Sequence, residues 1–340
     1  MEVFLLAAGH GTRVEPLSKL LPKPLFPILN MPAIEYQIRY FSSYGIKKFT
    51  INTHHLANIV ESKIKNLGLK GVKIRFSREE KILGTGGGIK KMLTFTKEKT
   101  IIVSNTDAIY NFDFNKILKA HKKSECLITL ILIPTKREDY SKVFANRDDL
   151  IKNFHIRSHK ISRGEKLGFF SGIHIIEKDA VPPLPDKDTF CIIEDYYSPL
   201  VKAGFKINSC FPKGIWLDTG EIPKYFDTNI YMLRNQNKFK IISQNLKANY
   251  REIKKNTFLH KKTKLPPDIS LKAPLLIGEK VRLSKNLRLG PNLIVGDSTI
   301  IGEKTAAARN SLFMDGSVIN KSKNIKKRIF LGKLSVPIKN

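Results

Sequence analysis

Residues 3–28 read VFLLAAGHGTRVEPLSKLLPKPLFPI. The apolar run Val3–Ala8 is about one strand long, and Gly9 and Gly11 break it at once, so it is a buried first strand delivering the chain into a loop. Working outward, similar runs recur at Phe49–Asn52, Val72–Phe76, Ile101–Ser104 and Leu127–Ile133. Amphipathic stretches separate them, such as Pro32–Tyr44, where Ile34, Ile38 and Phe41 share one face and Gly45 supplies the stop. Strands alternating with helices predict right-handed crossovers. The expected fold class over 1–235 is therefore α/β, a Rossmann-like mixed, mostly parallel sheet with helices on both faces. Residues 134 to 220 are less regular, with a strand expected at Phe169–Ile176 and a helix at Asp195–Ala203, the look of a substrate-binding elaboration.

The C-terminal part has another period. Read in sixes, the chain places Leu265, Leu271, Ile277, Leu283, Leu289, Val295, Ile301, Ala307, Phe313 and Ile319 at one repeated position. Four residues later in each hexad stand Ile269, Leu275, Val281, Leu287, Leu293, Thr299, Thr305, Ser311 and Ser317, and the pattern fails at Lys323. A six-residue period predicts a parallel β-helix in which each face sends one aliphatic inward. The expectation is a short left-handed β-helix over 265–324, making roughly three turns of about 18 residues, with edges suited to a homo-oligomer interface. Residues 236–264, polar and rich in Lys and Asn, read as a linker, and 325–340 as a basic tail.

Sixty Lys and Arg against 30 Asp and Glu give a formal charge of +30, attractive to any polyanion. The cations are scattered through the whole chain without interleaved aromatics, so neither nucleic acid nor membrane is expected as a partner. Cys126, Cys191 and Cys210 are widely spaced and odd in number, which argues against a disulfide framework and fits a reducing, cytoplasmic compartment. Val3–Ala8 lacks a preceding basic region and runs into glycines, so it is not read as a signal peptide, and no apolar run reaches transmembrane length.

The chemistry is concentrated at strand ends. Gly9 and Gly11 permit close approach of backbone N–H groups to anionic oxygens. The dinucleotide fingerprint is not met, because Val14 stands where its third glycine belongs, and the P-loop pattern is absent. Thr12 and Arg13 follow the glycines directly, and Lys23 sits between two prolines; a guanidinium and an ammonium on a stiffened loop can bracket a triphosphate and neutralise a leaving pyrophosphate. A second cluster, LGTGGG at Leu83–Gly88, suggests close approach of a base, with Thr85 as hydroxyl partner and Glu79 or Glu80 for a base edge. Asp107 in SNTD and Asp218 in WLDTG each follow a strand and are candidate Mg2+ ligands, magnesium being commonly held by one or two carboxylates plus substrate phosphates. Strand-end aspartates also cap helices, so spacing leaves both readings open.

In their order along the chain, LAAGHGTRVEPLSKLLPKPLFPI, LGTGGG, SNTD, FFSGIHII, WLDTGEIP and the hexads resemble the sugar-1-phosphate nucleotidyltransferases, above all the mannose-1-phosphate guanylyltransferases. The resemblance implies a nucleotide sugar and pyrophosphate as products of a nucleoside triphosphate and a sugar 1-phosphate, with Mg2+ as cofactor. It implies that Leu6, Ala8, Gly9, Gly11, Thr12, Arg13 and Lys23 hold the nucleotide, with Gly84, Thr85 and Glu80 near the base. Arg13 and Lys23 would be catalytic, Asp107 and Asp218 metal-binding, and Ser171, Gly172 and Glu194 would face the sugar. Two departures stand out: Thr106 replaces a usual glycine, and no Glu-Lys-Pro precedes Phe169, leaving Lys166 or Lys224 to supply its charge. Guanylyl transfer to mannose or heptose phosphate is favoured by the glutamates at 79 and 80, with uridylyl transfer to an amino-sugar phosphate as the alternative. A regulatory subunit without turnover is the other rival; the presence of Arg13, Lys23, Asp107 and Asp218 speaks against it.

Overall fold

A computed structural model of the chain describes residues 1–135, 140–154, 163–178, 182–320 and 322–339. Backbone contacts divide it into two units, Met1–Gly9 with Gln37–Trp216, and His10–Tyr36 with Leu217–Asn340. The division departs from the boundary expected at 235, because the loop after the first strand and the segment after Trp216 belong with the C-terminal prism.

Unit 1 is a mixed α/β sheet. The strand Glu2–Leu6 lies between Lys48–Thr53 and Thr100–Asn105, parallel to both, and Lys73–Arg78 continues the parallel half. The long strand Lys166–Glu177 pairs antiparallel with Thr100–Asn105, Ile128–Pro134 and Lys142–Ala145. Each expected strand is present within a residue or three of its predicted limits. Phe4, Ile101, Val103, Ile128, Leu130 and Leu132 form the centre of the core, fully removed from solvent. At about 25 cal/mol per Å2 of apolar surface, each such side chain contributes about 1.5–3 kcal/mol over an exposed one. The expected helix at 195–203 begins earlier, as a wide turn Ile193–Tyr197 running into Ser198–Lys202.

Unit 2 contains the prism. Its parallel ladders are Thr257–His260, Leu275–Ile277, Leu293–Val295, Ser311–Phe313 and Arg328–Leu331 on one face. A second face carries Ser270–Leu271, Arg288–Leu289, Ala307–Arg309 and Asn324–Lys326, and the third Arg282–Leu283, Ile300–Ile301 and Val318–Ile319. Leu275 pairs with Leu293 and Leu293 with Ser311, so one turn is 18 residues there. Ile277, Leu289, Val295, Ile301, Phe313 and Ile319 point into the core as the hexads predict. At one rung the register slips: Leu289 pairs with Ala308, and Ala308 rather than Ala307 is buried.

Two expectations for this half are corrected. The stretch 236–264 is no linker, since it holds the helix Lys240–Asn249 and the strands Tyr250–Lys254 and Thr257–His260. Phe239, Ile242 and Leu246 recur at helical spacing and are buried, a face obscured by the surrounding Lys and Asn. Nor is 325–340 a free tail: Ile325, Ile329 and Phe330 are buried in a further rung, and Leu334–Pro337 folds back antiparallel on Arg328–Leu331. Lys326, Lys327 and Arg328 stand between Ile325 and Ile329, so that composition alone reads the stretch as a basic run. Among the described residues no helix is long and apolar enough to cross a membrane, and the three cysteines are free thiols.

Candidate active site

In unit 1 the strand ends are tied by side chains that the sequence motifs do not contain. The Ala7 N–H donates to Asn52 Oδ1 at 2.6 Å, Asn52 Nδ2 donates to Glu79 Oε1 at 2.7 Å, and Glu79 Oε2 accepts from Leu83 N–H at 3.1 Å. This buried relay links the end of the first strand to the start of LGTGGG. Glu79 is therefore committed to the scaffold, both oxygens engaged, and of the two glutamates considered for a base edge only Glu80 stands exposed. Leu6 and Ala8 take their places at the same strand end, and Gly9 has no protein atom within 4 Å of where a Cβ would be, leaving open space beside its backbone.

LGTGGG is the first turn of the helix Gly84–Leu93 rather than a loop, and its glycines serve packing. A Cβ on Gly86 would fall 2.2 Å from the Phe190 ring, on Gly87 1.9 Å from the Asp188 carbonyl oxygen, and on Gly88 2.8 Å from Asn52 Nδ2. The Thr85 hydroxyl accepts from Ile192 N–H at 3.0 Å. Gly84, at φ 71°, has the Phe190 carbonyl in the same position. Close approach is indeed what these glycines supply, but toward the 188–192 segment for Gly84, Gly86 and Gly87 and toward Asn52 and Glu79 for Gly88. Glu80 lines a cavity of about 530 Å3 with Lys81, Leu83, Lys90, Lys91 and Asp188.

Asp107, half-buried, closes SNTD. Gln37 Nε2 donates to both Asn105 O and Ala108 O, 2.9 Å each, and so clamps the backbone on either side of Thr106–Asp107. The Thr106 hydroxyl donates to Leu6 O at 2.8 Å, which accounts for a threonine in place of glycine: it ties two strand ends together. Gly172, at φ 84°, packs against Asn105, whose Nδ2 lies 2.8 Å from the position of a Cβ, and Ser171 O accepts from Trp216 Nε1 at 3.1 Å. SNTD, FFSGIHII and the tryptophan of WLDTG thus meet inside unit 1. Glu194 lines a separate cavity of about 260 Å3 walled by Tyr140, Phe169, Phe170 and Cys191. Phe169 and Phe170 of its wall lead directly into Ser171 and Gly172 along the strand Lys166–Glu177. Tyr140 stacks on Phe169 at 4.2 Å between ring centroids, and Trp216 stands edge-on to Phe169 at 4.9 Å.

In unit 2 the loop 10–36 is held by the helix Ile222–Arg234 and by the prism. Leu29 N–H donates to Asn229 Oδ1 at 2.9 Å, Tyr225 Oη to Pro27 O at 2.6 Å, and Asn30 Nδ2 to Val295 O at 3.2 Å. Val14, Leu17, Leu25 and Phe26 are buried while Thr12 and Arg13 remain exposed, so the loop is anchored by its apolar side. Gly11 takes φ 68°, and a Cβ there would crowd Ser18 Cβ at 3.2 Å and Lys23 Cβ at 3.3 Å, which seats the half-buried Lys23 against the glycine turn.

The same unit joins this loop to the LDTG part of WLDTG, about 200 residues away in sequence. Arg13 Nη1 is 3.7 Å from Glu221 Oε1, and a Cβ on Gly220 would lie 3.1 Å from Arg13 Nη2 and 2.8 Å from Asp218 Oδ1. Asp218 Oδ1 accepts from Gly220 N–H at 2.6 Å, and its Oδ2 pairs with Lys224 Nζ at 3.0 Å. The carboxylate thus already holds a cation at its second oxygen, a hard donor of the kind Mg2+ takes. Sequence reasoning missed Asn52, Gln37 and Glu221; the first two are polar residues on otherwise apolar faces, the one signal that marks them.

Such an arrangement defines an α/β protein with glycine- and aspartate-bearing loops after its parallel strands, carried on one chain with a parallel β-helix. A family model described as nucleotidyl transferase matches residues 2–155. The D-glycero-alpha-D-manno-heptose 1-phosphate guanylyltransferase of Aneurinibacillus thermoaerophilus is 30% identical over 178 residues, covering 52% of this chain and 75% of that protein. The UTP–glucose-1-phosphate uridylyltransferase of Synechocystis sp. is 28% identical over 240 residues; the match takes in 66% of this chain and 62% of the relative's length. HddC from Yersinia pseudotuberculosis, solved with GMP-PN, shares the fold at a TM-score of 0.56 and 22% identity over 67% of this chain and 97% of its own. The chain belongs to the nucleotidyl transferase family.

Proposed function

We propose that the chain joins a nucleoside triphosphate to a sugar 1-phosphate, releasing pyrophosphate, with GTP and mannose 1-phosphate or heptose 1-phosphate as the substrates. The observation that carries this reading is the meeting of Arg13 with Asp218 and Glu221 around Gly220, on a loop whose Gly11 turn seats Lys23. An oxygen of the sugar phosphate attacks the α-phosphorus, the bond to the bridging oxygen breaks, and pyrophosphate leaves with that electron pair. A phosphate oxygen is already nucleophilic, so positioning and charge neutralisation carry the rate. Arg13 and Lys23 bind the departing phosphates, and the backbone from Leu6 to Thr12 lies along the nucleotide. We assign Asp107 and Asp218 to Mg2+, which when bound neutralises phosphate charge in the transition state. Ser171, Gly172 and Glu194 are the residues we assign to the sugar side.

A uridylyl reading gains weight from one observation: Glu79 has both oxygens engaged, so a guanine edge has only Glu80 left of the pair. Pyrophosphate release measured across four nucleoside triphosphates and a panel of sugar 1-phosphates decides between them. Absence of release with every pair leaves the rival reading, a nucleotide-sugar-binding regulatory subunit.

A further inference from the structure

Lys224 occupies an unusual place for a lysine in a basic protein: its Nζ lies 3.0 Å from Asp218 Oδ2 and 3.3 Å from Glu221 Oε1, with the lysine side chain 25% and the aspartate 12% exposed. Gly220 N–H fixes the other oxygen of Asp218 at 2.6 Å. Lys166, the other lysine considered for a phosphate, is differently placed, paired with Asp149 at 2.5 Å and lying 5.6 Å over the Phe211 ring.

We propose that Lys224 is the resident counter-ion of Asp218, which a divalent cation must displace, so that metal enters with the triphosphate rather than ahead of it. This rests on the reading of Asp218 as a metal carboxylate. A magnesium ion bonds a carboxylate oxygen at about 2.1 Å. An ammonium on the same oxygen would face it at close range as a like charge in a half-buried setting. Metal alone must therefore break the Lys224–Asp218 pair and set a second positive charge beside the ammonium. Metal accompanied by phosphate does not: the phosphate oxygens supply further ligands and at the same time take up the released ammonium. Lysine suits this exchange, being a compact charge on a flexible stem, and its position in the first turn of the helix Ile222–Arg234 keeps Nζ tethered after release.

The test measures Mn2+ binding to the full chain without nucleotide, by the electron paramagnetic resonance of free Mn2+. Lys224→Met is expected to bind Mn2+ about ten-fold more tightly than the parent, the factor corresponding to removal of a partly buried ion pair. Lys224→Gln should show the same gain, and Lys224→Arg should stay at the parent value. Adding Asp218→Asn to Lys224→Met should abolish the site. If affinity in Lys224→Met and Lys224→Gln stays within two-fold of the parent while Asp218→Asn still weakens it, the counter-ion role is wrong and the metal assignment stands. If binding is indifferent to Asp218→Asn, or no variant binds, both are wrong.

Discussion

Gly220→Ala is the sharpest probe of the proposed site. Its φ lies outside the left-handed region, so alanine meets no backbone strain there. The added methyl would sit 2.8 Å from Asp218 Oδ1 and 3.1 and 3.2 Å from the two terminal nitrogens of Arg13. The 2.8 Å contact forces the Asp218 carboxylate off its place, and Arg13, 59% exposed, gives way beside it. Restoring ordinary contact at about 3.5 Å moves it by about 0.5 Å, the tolerance of a catalytic constellation, and a 1 Å misplacement costs about 100-fold. The expectation is a fall in kcat/KM of about 10- to 100-fold, or about 1.4–2.7 kcal/mol of transition-state stabilisation. Stability should hardly change, since alanine lowers unfolded-chain entropy by the equivalent of about 0.4–1 kcal/mol. Pyrophosphate release and thermal melting on the same preparations measure the two effects. In an Arg13→Ala background the glycine substitution should cost less than in the parent, keeping only the part that acts through Asp218. Parental turnover in Gly220→Ala, or a full additional loss in the double variant, refutes the placement of Arg13 at the reacting phosphates.

Asp107→Ala should abolish turnover while leaving the melting temperature within a few degrees; retained pyrophosphate release removes Asp107 from the site. Gly87→Ala, whose methyl would strike the Asp188 carbonyl at 1.9 Å, should destabilise unit 1 by about 2–4 kcal/mol in urea unfolding despite alanine's better helix propensity. His174 is buried with neither ring nitrogen hydrogen-bonded among the described residues, and burial pulls its pKa down from 6.5 to about 3. The unfolded chain takes up this proton first, so the contribution is intact above pH 6.5 and is lost as pH falls toward 3, with a slope approaching about 1.4 kcal/mol per unit. His174→Phe should flatten that part of the stability–pH curve; an unchanged curve assigns the acid sensitivity elsewhere.

The fold was legible where a single period governs burial. Val3–Ala8 and the hexads from Ile277 to Ile301 each obey one repeat, and burial follows it. Legibility failed where two influences overlap. In 236–264 the helical face of Phe239, Ile242 and Leu246 is diluted by solvent-side Lys and Asn, and past residue 302 a one-residue slip moved the inward position to Ala308. At the site, motif residues announced themselves by type, but their supports did not. Nothing in the sequence says that Glu79 faces Asn52 or that Gly86 faces Phe190, because those contacts join residues 27 and 104 positions apart. Glycine clusters are read as ligand approach or as packing only once the neighbour is known.

The interior of the prism changes character along its axis. Leu275, Val281, Leu287 and Leu293 line one inward position in the early rungs, while Thr299, Thr305, Ser311 and Ser317 line it in the later ones, all of them buried. The hydroxyls of Ser311 and Ser317 find carbonyl oxygens, but those of Thr299 and Thr305 have no hydrogen-bond partner among the described residues. A solenoid behaves as a one-dimensional lattice in which each repeat is stabilised by its neighbours. Here the lattice carries a gradient, greasy at the start and polar at the finish, so melting has a direction. The rungs nearest the Arg328–Pro337 hairpin are therefore expected to exchange their amide hydrogens before those near residue 275.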